Sequence, residues 1–205
     1  MTLGPFEMFI LFFVTLGPLK LIGPFVHETS AADAKTVSQI AIRAFALATI
    51  CVFAAGFGGS IVLAKWQVSL PAMTLAGGLI FFLVALRQVL EPYQSHPPSP
   101  PAAITSPMVT AAKLAFPLIA PPYGIAAVIV VFAAAHSGTR VELIVALLLI
   151  VMVLNLLTML YARALLHGAA ALVLRVIGAV LGVLQVALAV QIMIFALREL
   201  GAPLR

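Results

Sequence analysis

Between Val14 and Phe25 the chain reads Val-Thr-Leu-Gly-Pro-Leu-Lys-Leu-Ile-Gly-Pro-Phe, which places two Gly-Pro pairs and a lysine inside an otherwise apolar span. Proline supplies no N–H, clashes with the turn before it and pushes the preceding residue out of the α region. Two such breaks leave backbone N–H and C=O groups without helical partners. Hydrocarbon cannot satisfy them, so broken helix at membrane depth needs a cover of protein or a watery cavity. A second broken stretch lies in the other half of the chain: Phe116-Pro117-Leu118-Ile119-Ala120-Pro121-Pro122-Tyr123-Gly124. Interrupted apolar segments at corresponding positions of two halves point to a transporter's solute site.

Composition decides that these are membrane segments. Of 205 residues, 64% are hydrophobic and 8% charged, with a mean hydropathy of +1.24, more apolar surface than a soluble domain of this size can hide. A net charge of +5 would suggest nucleic acid in a soluble chain; here it fits basic residues in cytoplasmic loops, and no nucleic-acid partner is expected. Cys51 stands alone in an apolar run, which excludes an intrachain disulfide and suits a small buried hydrophobe. The stretch Met1 to Glu7 has no lysine or arginine and no cleavage pattern follows, so the first apolar segment is expected to be a retained helix.

Apolar segments run over Met8–Val26 (interrupted by Lys20), Ala44–Ala64, Trp66–Leu86, Leu114–Thr139, Leu143–Ala162 and Val176–Leu197. Each is near the roughly 20 residues that cross hydrocarbon. The expectation is an all-α integral membrane protein with six transmembrane helices. Residues 1–90 and 111–205 form two three-helix repeats joined by a proline-rich linker, 91–110. Each half opens with a proline-broken helix, so helices one and four carry the breaks. An odd number of helices per unit inverts the second copy, and a 3+3 inverted repeat brings the two breaks together at mid-membrane. The flanks of the odd loops hold Lys35, Arg43, Arg87, Lys113, Arg163 and Arg175, against Lys65, Arg140, Arg198 and Arg205 on the other side. That bias puts both termini outside.

The candidate solute site consists of Thr15, Gly17, Pro18, Lys20, Gly23 and Pro24 from the first break and Ala120, Pro121, Pro122, Tyr123 and Gly124 from the second. Asn155, which shares a helix face with Thr158, is either an interhelical tie or part of the path. A broken helix offers N–H groups for a carboxylate and C=O groups for an ammonium or cation, so a zwitterionic amino acid suits it. Lys20 costs about 2.5–3.5 kcal/mol at a span's centre, while each Leu or Phe returns about 0.3–0.6, so its neighbours can carry it. It either snorkels or caps backbone carbonyls, or takes part in transport. Gly77, Gly78, Gly178 and Gly182 have the spacing of close helix packing.

Other chemistries lack their residues. The four histidines fall in loops or at helix ends, unsuited to haem; no H-E-x-x-H motif, nucleophile–base pair or phosphate loop is present. The six carboxylates also lie at ends or in loops. No enzyme, cofactor or metal is expected.

Val68-Ser69-Leu70-Pro71-Ala72-Met73-Thr74-Leu75-Ala76-Gly77-Gly78-Leu79-Ile80 resembles the I-S-x-P-x-x-R-I-A-G-G run of the MarC family of six-helix inner-membrane proteins. Leu114 to Gly124 is similar to its A-x-P-x-x-A-G-P-G stretch, and Arg175-Val176-Ile177-Gly178 with Ala189-Val190-Gln191 to its last helix. The resemblance is collinear over most of the chain. It departs at the first break, where Gly17 precedes Pro18 and Lys20 lies near an expected asparagine, and at the second, where Pro121 replaces a glycine and Tyr123 is extra or substituted. It implies kinship to LysE-type exporters and transport of a small neutral amino acid across a bacterial cytoplasmic membrane. The expected partners are the lipid bilayer, a small solute and, as an open option, further copies of the chain. A membrane scaffold or assembly subunit, its prolines only shaping packing, is the alternative.

Overall fold

A computed structural model describes residues 4–90, 106–135, 138–165 and 169–202, and these are helical almost throughout. Helix α1, Pro5–Leu16, has Pro5 in its first turn and the Glu7 carboxylate accepting from Gly4 N at 2.9 Å. This closes one of the donors a helix start leaves open. α1 stops at Gly17, whose backbone is extended (φ −75°, ψ 169°) ahead of Pro18. A 3-10 turn, Pro18–Leu21, leads into α2, Ile22–Glu28. Together α1 and α2 make one apolar span of 24 residues.

α3 runs over Ala34–Lys65 and α4 over Leu70–Leu90. α3 begins ten residues before the uncharged segment expected from sequence. Lys35 and Arg43 therefore sit in its first turns, where long basic side chains extend beyond the apolar belt. It ends in paired bonds from Gln67 N to Ala64 O (3.3 Å) and from Val68 N to Leu63 O (3.1 Å), with Gln67 at φ 55°. That left-handed closing turn favours glycine and tolerates glutamine here. α4 starts with Pro71 in its first turn and Ser69 Oγ accepting from Ala72 N at 3.3 Å.

The second half opens with α5, Pro107–Lys113, whose capping residue Ser106 accepts from Met108 N at 3.3 Å. Helix thus starts inside the stretch read as linker, because Pro107 fits a first turn and Ser106 supplies the cap; residues 91–105 of that linker lie outside the described residues. A wide π-type turn, Leu114–Ile119, follows, with Phe116 extended (φ −137°, ψ 128°) before a cis bond to Pro117. α6, Pro122–Ala133, then leaves at 62° to the segment before the break. α7 spans Gly138–Leu165 and α8 Ala169–Glu199. Among the described residues, five helical segments are long and apolar enough to cross a membrane, and the bent pair α5–α6, counted as one span, brings them to six.

Two cores organise these helices. One is continuous through α1, α2, α3, α5, α6 and α7, with Phe12, Phe25, Ile40, Ile119, Leu148 and Met152 fully buried. The other joins α4 and α8 through Phe81, Ala85 and Ala189, with Tyr123 reaching in from α6. α4 and α8 pack antiparallel: Gly78 faces Met193 and Gly182 faces Val89, and a methyl group at either glycine would meet its neighbour at 3.0–3.1 Å. Gly178, read as part of the same packing motif, has open space around it. Alternation of the spans puts Glu7, the α3–α4 turn, the end of α6 and the end of α8 at one end of the bundle.

Candidate functional site

The two breaks touch. The Pro18–Leu21 turn packs against the Leu114–Ile119 turn, and Leu16 fills the space over Gly124, where a methyl group would lie 2.6 Å from Leu16 Cδ2. Pro18 removes the N–H that would serve the Val14 carbonyl, and the chain's departure at Gly17 strips the helical partners from Thr15 and Leu16. Side chains replace them. Lys20 Nζ donates to Thr15 O. Asn155 Nδ2, from α7, donates to Leu16 O at 2.9 Å and to Val151 O at 3.0 Å.

Lys20 also reaches across the two halves. Its Nζ donates to the Tyr123 hydroxyl at 3.3 Å and lies 5.2 Å from the ring centroid. Those distances put the ammonium off the hydroxyl end of the ring, so it meets the oxygen lone pair and not the π face. Tyr123 is held in turn by Phe81 of α4, whose ring stacks on it with centroids 4.8 Å apart and planes 19° from parallel. An ammonium has three donors, of which two are used here.

Above this junction lies a cavity of 460 Å³ between α1, α4, α6 and α8. Thr15, Phe81 and Tyr123 form its floor. Its walls are mostly apolar, with Ile10, Leu11, Ala126, Val130, Ile192 and Phe195 among them and Thr74 and Gln191 the polar exceptions, and its rim holds Glu7, Leu70, Ala134 and Glu199. Those rim positions are element ends on one side of the bundle, so the cavity extends from the end with both described termini to mid-bundle. Below the floor, Leu16, Leu21, Ile119 and Ala120 are fully buried.

Of the residues singled out in the sequence, Thr15 and Tyr123 line the floor, Lys20 bonds to both from outside the cavity lining, and Asn155 joins them through the Leu16 carbonyl. Gly17, Pro18, Ala120, Pro121 and Gly124 are buried in the packed breaks. Gly23, Pro24 and Pro122 are exposed on the outside of their half-helices, away from the cavity. Asn155 is an interhelical tie, and its Oδ1 is buried without a partner. Sequence reasoning missed Phe81, though it lies three and four residues after Gly78 and Gly77, on the face that lines the cavity. It also missed Arg163, which donates from α7 to Thr29 O at 2.7 Å and Ala32 O at 2.8 Å and so anchors the far end of α2; a basic residue at a span's end carries no signal of this. Among the described residues no cluster of His, Cys, Asp or Glu could hold a metal ion.

The family model for MarC family integral membrane proteins matches residues 5–200. A UPF0056 membrane protein of Methanocaldococcus jannaschii is 26% identical over 188 residues, covering 91% of this chain and 92% of its own length. No solved structure matches. With its multiple apolar helices and a family match over nearly its whole length, the chain belongs to the MarC family of integral membrane proteins.

Proposed function

We propose that this protein is a secondary transporter that carries a small carboxylate-bearing solute, with small neutral amino acids the first to test, by alternating access across a bacterial cytoplasmic membrane. The observation that carries the reading is the one-sided cavity whose floor is the meeting point of two broken helices and a lysine. Broken helices at mid-bundle supply backbone and dipole ends for a polar solute, and a cavity reaching only one end is what an access state requires. By the charge bias of the loops the termini face the periplasm, and the cavity is then outward-open.

Alternating access by an inverted repeat is supported by internal correspondences. Both breaks consist of an extended residue before proline (Gly17, Phe116), a short turn and a second half-helix. One interval, 104 residues, separates Gly78 from Gly182, Val89 from Met193, and the starts of α3 and α7. The first broken helix packs on α7 and the second on α3, each against the intact helix of the other half. Exchange of conformation between such halves closes one vestibule and opens its counterpart, with the α4–α8 pair rocking on the larger core.

Uptake into proteoliposomes tests this. Alanine or another member of a small-solute panel should enter faster than in protein-free vesicles and saturate with concentration; flux indistinguishable from protein-free vesicles across the panel contradicts it.

A further inference from the structure

The cavity floor carries the Tyr123 side chain, with the Lys20 ammonium bonded to it from outside the lining, and carboxylates stand only at the opposite end. The Tyr123 oxygen already accepts from the Lys20 ammonium, so its own O–H remains to be donated into the cavity that Tyr123 lines. A hydroxyl held against an ammonium is a stronger donor. The Thr15 hydroxyl is committed to Leu11 O at 2.7 Å. Among the described residues, the carboxylates that line the cavity are Glu7 and Glu199, both at the rim, and Glu7 is tied back to Gly4 N. From Glu7 to Thr15 is eight residues of helix, about 12 Å.

That separation bears on the solute's charge. In an α-amino acid the ammonium sits two bonds from the carboxylate. With the carboxylate on the Tyr123 hydroxyl, the solute's ammonium is brought close to the Lys20 ammonium behind that hydroxyl and stays far from the rim carboxylates. Like charges in an apolar enclosure repel strongly. A dianion such as phosphate brings a second negative charge that one lysine cannot neutralise, and burying it unpaired is costly. The apolar walls and the 460 Å³ volume leave room for a body larger than that of glycine or alanine.

We infer that the floor at Tyr123, backed by the Lys20 ammonium, is a monoanion site, and that the solute this chain prefers is an organic monocarboxylate with a branched or aromatic apolar body and no ammonium beside the carboxylate. The inference rests on the transporter reading for what the site is for, but not for whether the site binds.

A matched set separates the charges: 4-methylpentanoate, leucine (the same body with an α-ammonium) and isopentylamine (the same body with only the amine). Binding is measured by titration on purified protein in lipid nanodiscs, where a ligand of the folded state also raises the melting temperature. The expected result is 4-methylpentanoate binding about ten-fold or more tighter than leucine, with isopentylamine weaker still. Lys20→Met should weaken 4-methylpentanoate about ten-fold or more and Tyr123→Phe by several-fold, with Lys20→Arg recovering part of the loss. Tyr123→Phe keeps the ring stacked on Phe81, so it serves if Lys20→Met fails to fold. Leucine or isopentylamine binding as tightly as 4-methylpentanoate, none of the three binding, or affinity for 4-methylpentanoate unchanged in Lys20→Met or Tyr123→Phe would overturn the inference. Proteoliposomes distinguish the two levels: flux of alanine or leucine without flux of 4-methylpentanoate sinks the monocarboxylate site and keeps the transporter. Lys20-dependent binding of 4-methylpentanoate without flux of any solute does the reverse.

Discussion

At the first break, the carbonyls that lose helical partners are served by side chains: Lys20 takes Thr15 O, and Asn155, from another helix, takes Leu16 O. At the second break the backbone serves itself, with Ala120 N donating to Ala115 O at 3.0 Å across the wide turn before α6 restarts at Pro122. Both breaks obey the rule that unpaired backbone must be covered inside a membrane. They differ in what can move. A carbonyl capped by a charged side chain can release its cap to a solute at the cost of one exchangeable contact, whereas backbone pairing changes only by refolding the turn. On the transporter reading, the first break is the responsive one, and the second a frame that holds Tyr123 against Lys20 and Phe81.

The largest difference is expected from glycine substitutions at the two breaks. A methyl group on Gly17 would lie 1.7 Å from the Phe13 carbonyl oxygen, a backbone atom that cannot turn aside. Gly17→Ala should therefore cost about 3 kcal/mol or more, read as loss of monodisperse protein after extraction. Gly124→Ala presses instead on the flexible end of Leu16, 2.6 Å away, and should cost about 1 kcal/mol in thermal stability. Equal losses at the two positions would erase the distinction between a rigid and an adaptable contact.

Asn155→Ala comes next. It strips the donor from Leu16 O, and should lower stability by about 1 kcal/mol, in the range of hydrogen bonds between membrane helices. The loss is modest because the asparagine's Oδ1 is itself unpaired in the native protein and its removal relieves that cost. A smaller effect is expected at Gly23, where a methyl group meets nothing within 4 Å: Gly23→Ala should stay within about 0.5 kcal/mol of the native stability. Smallest of all should be the effect of exchanging sodium for choline during uptake. The Lys20 ammonium already sits on a carbonyl of the break, where an ion-coupled transporter built on broken helices holds its cation, so flux should not change. A steep sodium dependence would move the cation site elsewhere, with the unpaired Asn155 Oδ1 the first place to look.

The spans, both breaks and the two polar residues inside them were legible in the sequence because each violates hydrocarbon chemistry locally. Gly-Pro at 17–18, Lys20 and Asn155 stand out against apolar neighbours whatever the fold. What was not legible depends on which helix faces which. The pairing of Lys20 with Tyr123 joins positions 103 residues apart, and no local pattern encodes it. Gly77 and Gly78 are packing positions as read, Gly77 letting α6 approach at Ala126 and Gly78 letting α8 approach; that both also line the cavity was not legible, because a small residue serves close contact and open space equally well. Helix ends differed from the apolar segments where a cap or a long basic side chain overrode composition. Ser106 starts α5 in a proline-rich stretch, and α3 carries Lys35 and Arg43 beyond the apolar belt.

The claim that the first break is the working site is tested most directly by comparing flux through wild-type protein, Lys20→Met and Ile119→Met in proteoliposomes at matched reconstitution. Both substitutions place an unbranched apolar side chain at a break, and only one removes a charge. The account predicts saturable flux in wild-type and Ile119→Met and a fall of about ten-fold or more in Lys20→Met. Equal flux through wild-type and Lys20→Met would contradict it and leave Lys20 as a cap on the Thr15 carbonyl.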